Sequence, residues 1–330
     1  MKRRWGAGIV FIAFFVILLS GFTARDVSAA TLPALRVKGT KLVNKSGKTV
    51  RLKGVSTHGL SWYPKYVNQK AFTQMKKKWK INVVRLAMYT EEYNGYCVGG
   101  KANRAALEKQ LQRGIDYATK AGLYVIVDWH ILNDGNPKKH QKQALAFFKK
   151  IASKNRKKTN VIYEICNEPN GGTSWKTIRT YAKTVIKTIR KYDSDAIILV
   201  GTPNWSQDVD IAAKNPLKGY KNIMYTLHFY AGTHGDYLRK KAQKAINRGF
   251  PLFVSEFAIC DASGNGRLNK TEGARWMKFL RKNKISCVGW NLSNKNESSA
   301  LLKTSCKTSN GWSSKHLTSW GKWLIKEYKK

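Results

Sequence analysis

Short apolar runs rich in β-branched residues recur along this chain, each halted by turn-forming residues and followed by an amphipathic segment. The runs span residues 52–57, 82–88, 123–129, 160–166, 196–201, 223–229, 251–257 and 286–291. Nearly continuous apolarity over so short a span reads as a strand buried on both faces, the habit of parallel sheets. Between the runs, segments such as 102–121, 175–192 and 271–282 carry apolar residues at helical spacing. Eight strands alternating with about as many helices predict an α/β fold, a single (β/α)8 barrel. A doubly wound open sheet is the competing architecture, but no strand is followed by a glycine-rich dinucleotide turn. Ahead of this rhythm, residues 35–38, 41–43 and 49–51 surround Asn44-Lys45-Ser46-Gly47. That arrangement predicts a short N-terminal β-hairpin.

Residues 1–29 follow another pattern. Lys2, Arg3 and Arg4 precede an uncharged stretch from Trp5 to Phe22, and Val27-Ser28-Ala29-Ala30 supplies small residues. This is the order of a secretory signal peptide, so cleavage after Ala29 or Ala30 and a secreted, extracellular protein are expected. An uncleaved membrane anchor is the alternative, because the apolar stretch approaches spanning length. Residues 30–330 are then expected to form one catalytic domain, since no Pro- or Ser-rich linker divides them.

Charge changes the picture of partners. The chain carries 61 Lys and Arg against 19 Asp and Glu, a formal +42. The leader contains few of these bases, so the excess belongs to the rest of the chain. Such a field attracts polyanions, anionic cell-wall polymers among them. Runs such as Lys76-Lys77-Lys78 and Arg156-Lys157-Lys158 exist, but the bases are spread along the whole chain and no nucleic-acid-binding module is present. A diffuse basic surface is therefore expected, not specific nucleic-acid binding. Five cysteines leave at least one thiol unpaired. Cys166 and Cys287, in predicted strands, read as small buried hydrophobes, while a bridge between Cys97 and Cys306 in predicted loops stays open. No cysteine pair has zinc-motif spacing.

In a barrel of this kind, chemistry sits at the C-terminal ends of the strands. Those ends carry His58, Arg85 with Tyr89, His130, Asn167-Glu168, Asn204-Trp205, His228 with Tyr230, Glu256 and Trp290. The stop at Asn167-Glu168-Pro169-Asn170-Gly171-Gly172 delivers one carboxylate to a strand end in an acid-poor chain. Glu256 is the second. Alternation places Glu256 on the face of Val254 and Leu252, and Arg85 on that of Val83, both read as inward. Cleaving a sugar acetal needs one carboxylic acid to protonate the leaving oxygen and one carboxylate to attack carbon or activate water. Either glutamate alone could be half of a structural ion pair; the two together, in a ring of histidines, an arginine and aromatics, favour catalysis. Glu164 lies on the face of Glu168 one layer deeper and needs a buried partner or a proton.

Ile162-Tyr163-Glu164-Ile165-Cys166-Asn167-Glu168-Pro169 resembles the acid/base motif of glycoside hydrolase family 5, and Val254-Ser255-Glu256-Phe257 its nucleophile motif. Val55-Ser56-Thr57-His58-Gly59-Leu60-Ser61-Trp62, Val84-Arg85-Leu86-Ala87-Met88-Tyr89 and Val127-Asp128-Trp129-His130 resemble further landmarks of its bacterial endo-β-1,4-glucanase (cellulase) branch. So do His228-Phe229-Tyr230 and Gly289-Trp290-Asn291-Leu292-Ser293 with Lys295 and Glu297. The likeness runs in order from about Leu35 to the C-terminus. It implies retaining hydrolysis of internal β-1,4-glucosidic bonds through a covalent glycosyl–enzyme, with Glu168 as acid/base and Glu256 as nucleophile about 5 Å apart. Arg85 and Tyr230 would hold Glu256 as an anion, Asn167 would bond the sugar 2-hydroxyl, and His130 and His228 would orient these groups. Loss of charge on Glu256 as the intermediate forms would favour release of the Glu168 proton.

The same resemblance distributes the substrate subsites. Trp290 would floor the subsite of the cleaved bond, with Trp62 toward the non-reducing end and Trp205 on the leaving-group side. Lys295 and Glu297 would bond hydroxyls beyond Trp62, His234 would line the aglycone side, and His58 and Tyr89 complete the substrate-binding set. Trp79, Trp276, Trp320 and Trp323, at helical spacing, are assigned to packing. The implied substrates are β-1,4-glucans: cellulose, soluble cellulose derivatives and mixed-linkage glucan. A β-mannanase on the same frame is the alternative, and a non-catalytic polysaccharide-binding protein the alternative of another class. No metal or cofactor is expected, because the histidines lack ligand spacing and the chemistry needs no Lewis acid. A monomer is expected. Two features depart from the family pattern: Cys166, where a small aliphatic residue is expected, and the strongly basic charge.

Overall fold

The computed structural model describes residues 1–2 and 32–330, so the predicted leader lies outside the described residues except for its first two positions. An N-terminal hairpin is present, but it turns at Gly39-Thr40: β1 (Arg36–Lys38) pairs antiparallel with β2 (Lys41–Val43), Arg36 opposite Val43. Across the expected turn at Asn44–Gly47 only a single bridge, Val43 to Thr49, forms, and 49–51 is not a strand. The eight apolar runs become β3 (Lys53–Thr57), β4 (Val83–Tyr89), β5 (Tyr124–His130), β6 (Val161–Glu164), β7 (Ile198–Val200), β8 (Ile223–Tyr230), β9 (Leu252–Ala258) and β10 (Cys287–Leu292). They close into a barrel in sequence order, with β10 pairing in parallel with β3. The intervening helices are α1 (Gln69–Gln74), α2 (Gly100–Lys120), α3 (Gln141–Asn155) and α4 (Trp175–Arg190). The short α5 (Pro203–Ser206) and α6 (Val209–Ala212) follow, then α7 (Asp236–Asn247), α8 (Lys270–Lys282) and α9 (Ser319–Lys329). The (β/α)8 prediction holds. Helix starts follow local chemistry: Asn68, Ser174, Asn269 and Thr318 each accept a backbone N–H of the first turn of α1, α4, α8 and α9.

Strand alternation divides the apolar residues into two cores. The inner one fills the lower barrel with Leu52, Val83, Ile126, Ile162, Leu199, Met224, Phe253 and Val288. Leu35 and Leu42 join this cluster from the hairpin, which therefore plugs the end of the barrel opposite the strand C-termini. The outer core lies between barrel and helices and holds the packing tryptophans: Trp276 and Trp320 are fully buried, Trp79 nearly so, and Trp323 packs at the edge. All five cysteines are free; Cys166 and Cys287 are buried, and Cys97 and Cys306 form no bridge.

One strand breaks the alternation, and this corrects a prediction. Along β9, Phe253 pairs with Thr226 of β8, but the next partners are Glu256 and His228. Toward β10, Val254 pairs with Cys287 and Phe257 with Gly289. On both sides three steps of β9 oppose two of its neighbour, which is a β-bulge. Leu252, Val254 and Phe257 pack outward against the helices, while Phe253 points into the barrel. Glu256 therefore does not share the face of Val254 and Leu252. Strict alternation would have sent it into the helix layer; the bulge turns two successive side chains, Ser255 and Glu256, inward. Arg85 needs no such device and lies inward with Val83, as predicted.

Candidate active site

The strand C-termini open into a cleft of about 660 Å³. Beneath it lies Arg85, carried by β4 and fully buried. Its Nε and Nη2 donate to the two oxygens of Glu164 at 2.7 and 3.2 Å, and Nη1 donates to Glu256 Oε2 at 3.1 Å. Nη2 also donates to Asn167 Oδ1 at 2.6 Å and lies 3.0 Å from Asp128 Oδ2. Burial works against this charge, but Asp128, Glu164 and Glu256 outweigh it and hold the guanidinium proton more firmly than usual. Here is the partner that Glu164 requires. Burial alone would raise the Glu164 carboxyl; Arg85 and His228 overcome it and bring it down to about 2.

Glu168 and Glu256 face each other across the floor. One carboxylate oxygen of each, with one ring nitrogen of His228, lie within 4.8 Å of one another. Tyr230, at the end of β8, donates its hydroxyl proton to Glu256 Oε1 at 2.7 Å, so Arg85 and Tyr230 hold different oxygens of one carboxylate. His228 Nδ1 lies 2.8 Å from Glu168 Oε1, and its Nε2 lies 2.9 Å from Ser255 Oγ. Ser255 in turn donates to Glu164 Oε1 at 2.7 Å. Burial disfavours a charged His228, but the carboxylates of Glu164 and Glu168 prevail and raise it to about 9.

A second network supports Asn167. Its side-chain nitrogen donates to the Ile131 carbonyl at 3.0 Å and lies 3.3 Å from His130 Nε2; His130 Nδ1 is 2.6 Å from Asp128 Oδ2. Burial pushes His130 down to about 3, aided by Arg85, so the ring is a neutral spacer. Asn167 and Arg85 are fully buried and sit under the floor, whereas His130, Tyr89, His58 and Trp290 line the cleft. Tyr89 packs on His130 at 4.1 Å between ring centroids, and Trp290 stacks on the same imidazole at 5.3 Å. His58, pushed down to about 3 by burial, packs against both Trp62 and Trp290.

The remaining predicted residues form the walls. Trp205, 44 % exposed, lines the cleft; Trp62, 36 % exposed, is outside that lining but packs on His58, which belongs to it. Lys295 lies over the Trp62 ring and pairs with Glu297 at 2.6 Å, while Asn291 donates to the other Glu297 oxygen at 2.7 Å. His234 accepts the Tyr230 backbone N–H at 2.8 Å and is pushed down to about 4 by burial. Trp205 stands on a left-handed turn: Asn204, Trp205 and Ser206 have φ of 57°, 54° and 58°. Such conformations cost about 1–3 kcal/mol each for a side-chain-bearing residue. They are held by Trp205 N–H donating to the Pro169 carbonyl at 3.0 Å and Ser206 Oγ to the Asn167 carbonyl at 2.7 Å. The wall that carries Trp205 is thus tied to the loop that carries Glu168.

Sequence reasoning did not single out Ser255, Ser206 or Gly201 as site residues. Ser255 adjoins Glu256, yet simple alternation points it away from Glu256; only the bulge brings both inside. Nothing in the sequence marks Ser206. The donor set of Glu168, His228 and Glu256 could hold a divalent cation, but the Arg85 charge 3.1 Å from Glu256 opposes one there. Chemically, the arrangement sets two carboxyl groups across one gap, one beside the His228 imidazole and one held by Arg85 and Tyr230.

Comparison with known proteins agrees with this geometry. The model of the cellulase family, glycosyl hydrolase family 5, matches residues 43–296. Endoglucanase A of Butyrivibrio fibrisolvens is 46 % identical over 292 residues, 88 % of this chain and 67 % of that protein. An endoglucanase of Clostridium saccharobutylicum is 44 % identical over 319 residues, 96 % of this chain and 70 % of that protein. Among solved structures, cellulase Cel5C_n superposes with a TM-score of 0.86 at 42 % identity, covering 92 % of this chain and 95 % of that one. The catalytic domain of Thermobifida fusca endoglucanase Cel5A, in complex with cellotetraose, gives 0.85 at 36 % identity, covering 90 % and 97 %. With its barrel, its paired carboxylates and these relatives, the chain belongs to glycosyl hydrolase family 5, the cellulase family.

Proposed function

We propose that this protein is a secreted endo-β-1,4-glucanase that cleaves internal bonds of soluble and amorphous glucans with retention of configuration. The observation that carries the reading is the Glu168–Glu256 pair, in which one oxygen of each carboxylate lies within 4.8 Å of the other. Inverting enzymes need roughly 6.5–9.5 Å between carboxyl groups to admit water, whereas retaining ones use about 5–5.5 Å. In the first step Glu256 attacks the anomeric carbon while Glu168 gives its proton to the departing oxygen. In the second, Glu168 takes a proton from water as water displaces Glu256. Arg85 and Tyr230 keep one lone pair of Glu256 aimed at carbon, because each occupies a different oxygen. Exposed tryptophans in the cleft and beside it support binding within a long chain, and the cellotetraose-bound relative supports a glucan backbone. The N-terminal leader supports export.

Glu256→Gln should lose hydrolysis of hydroxyethyl cellulose while still binding cellotetraose, and proton NMR of the parent reaction should show the β-anomer first. A fully active variant would overturn the mechanism; an α-anomer first would overturn retention. Product profiles on glucan, mixed-linkage glucan and mannan decide between glucanase and mannanase.

A second observation favours adhesion to anionic wall polymers. Among the described acids only Asp116, Asp195 and Asp236 are exposed. Helix α4 and its C-cap present exposed Lys176, Lys183, Lys187 and Lys191, and the helix contains no acid. Like charges four residues apart cost a helix roughly 0.2–0.5 kcal/mol per pair, so this stripe is not kept for stability. Binding to phosphate-bearing wall polymer should be strong at low salt and released at high salt; retention that ignores salt would rule out an electrostatic origin.

A further inference from the structure

Beside Glu256 on β9, Ser255 enters a chain of contacts that the reaction does not by itself require. Glu164 Oε1, Ser255 Oγ, His228 Nε2, His228 Nδ1 and Glu168 Oε1 follow one another, with contacts of 2.7, 2.9 and 2.8 Å between residues. Every member except Glu168 is buried to 2 % exposure or less. Valence fixes the direction of this chain. Glu164 is pinned as a carboxylate by two bonds from Arg85, so it can only accept. Ser255 has a single hydroxyl proton, and that proton goes to Glu164. Toward His228 the serine oxygen can therefore only accept, and Nε2 must carry a hydrogen. Nδ1 is left facing Glu168, free to accept from its acid form or, with a second proton on the ring, to donate to its carboxylate.

We propose that Ser255 and Glu164 are positioning residues for the proton donor: they lock the tautomer and ring orientation of His228, which in turn aims Glu168 at the leaving oxygen. This rests on Glu168 being the acid/base of the proposed glucanase. The lock is static. No proton travels along it; the proton that leaves Glu168 goes to the departing sugar oxygen, and the one that returns comes from water. Arg85 serves both halves of the floor, since it fixes Glu164 for this lock and Glu256 for attack.

The test exploits leaving groups. Ser255→Ala removes the hydroxyl and little volume. A β-1,4-glucan needs its leaving oxygen protonated, whereas 2,4-dinitrophenyl cellobioside departs without help, so kcat/KM for the two substrates separates proton donation from everything else. Ser255→Ala should lower kcat/KM for hydroxyethyl cellulose at least tenfold and leave the dinitrophenyl substrate within about twofold, with KM for the glucan little changed. The ¹⁵N shift of His228 Nε2 should move as its acceptor, Ser255 Oγ, is removed, with Nδ1 changing less. Glu168→Gln is the control. If Glu168→Gln shows the leaving-group contrast and Ser255→Ala does not, the lock is wrong. If Glu168→Gln depresses both substrates equally, the assignment of Glu168 fails first. A general loss of packing in Ser255→Ala would depress both substrates together, and that outcome also overturns the proposal.

Discussion

Glu164→Gln keeps the shape of a buried side chain and removes its charge. Glu164 has no solvent exposure, takes two hydrogen bonds from Arg85 at 2.7 and 3.2 Å and one from Ser255 at 2.7 Å. Burial favours its protonated form, yet Arg85 and His228 hold the carboxyl at about 2 against an ordinary 4.5. At about 1.4 kcal/mol for each pH unit between folded and unfolded values, the carboxylate contributes on the order of 3 kcal/mol. Removing one partner of a buried ion pair costs about 3–5 kcal/mol, the same order by an independent route. The folded value is depressed, so this stability is fully present above about pH 4.5 and is lost as pH falls toward 2. The parent should exceed the variant by about 3 kcal/mol near neutrality, and the gap should narrow at about pH 3.5. Urea unfolding followed by tryptophan fluorescence measures both. A variant as stable as the parent near neutrality, or a gap of constant size at the lower pH, would refute the reasoning.

Two further outcomes follow from other parts of the cleft. A Cβ on Gly201 would lie 2.3 Å from the Cys166 carbonyl oxygen and 2.8 Å from the Pro169 ring. Gly201→Ala should therefore displace the Asn167–Glu168 segment, costing about 1–3 kcal/mol in thermal melts and about a hundredfold in kcat; unchanged melting and turnover would contradict the close approach. Trp62→Ala should raise KM for long cello-oligosaccharides about tenfold with kcat nearly constant, through loss of about 1.4 kcal/mol of ring stacking, and an unaltered KM across the oligosaccharide series would remove Trp62 from the binding surface.

Much of this molecule was legible because its strands are buried on both faces and its helices on one. Segment 102–121 became α2 (Gly100–Lys120), 175–192 became α4 (Trp175–Arg190) and 271–282 became α8 (Lys270–Lys282), each shifted by no more than two residues. The strand-end residues could be collected into one cleft because closure of a parallel barrel leaves no choice about where those ends gather. Two kinds of information were hidden. Long-range partners were one: Glu164 lies 79 residues from Arg85, and nothing local announces that the two meet. Register was the other. Glu256 was expected inward for the wrong reason, by sharing a face with Val254, and a bulge instead reverses the order. The β6 run was expected to reach Cys166 but ends at Glu164, since the Asn167 N–H turns to the Trp129 carbonyl at 3.1 Å.

The bulge in β9 has an implication for how such a site can be altered. A regularly pleated strand gives the barrel interior every second side chain, so its inward groups stand two residues apart, as His228 and Tyr230 do on β8. By admitting one extra residue, β9 supplies two in direct succession: Glu256 at the cleft and Ser255 in the network beneath it. The identity of the site is therefore written partly as a residue count between Phe253 and Phe257, which no substitution changes. Removing one residue there would return the strand to plain alternation and cost the barrel one of its two inward groups while leaving the apolar pattern almost untouched.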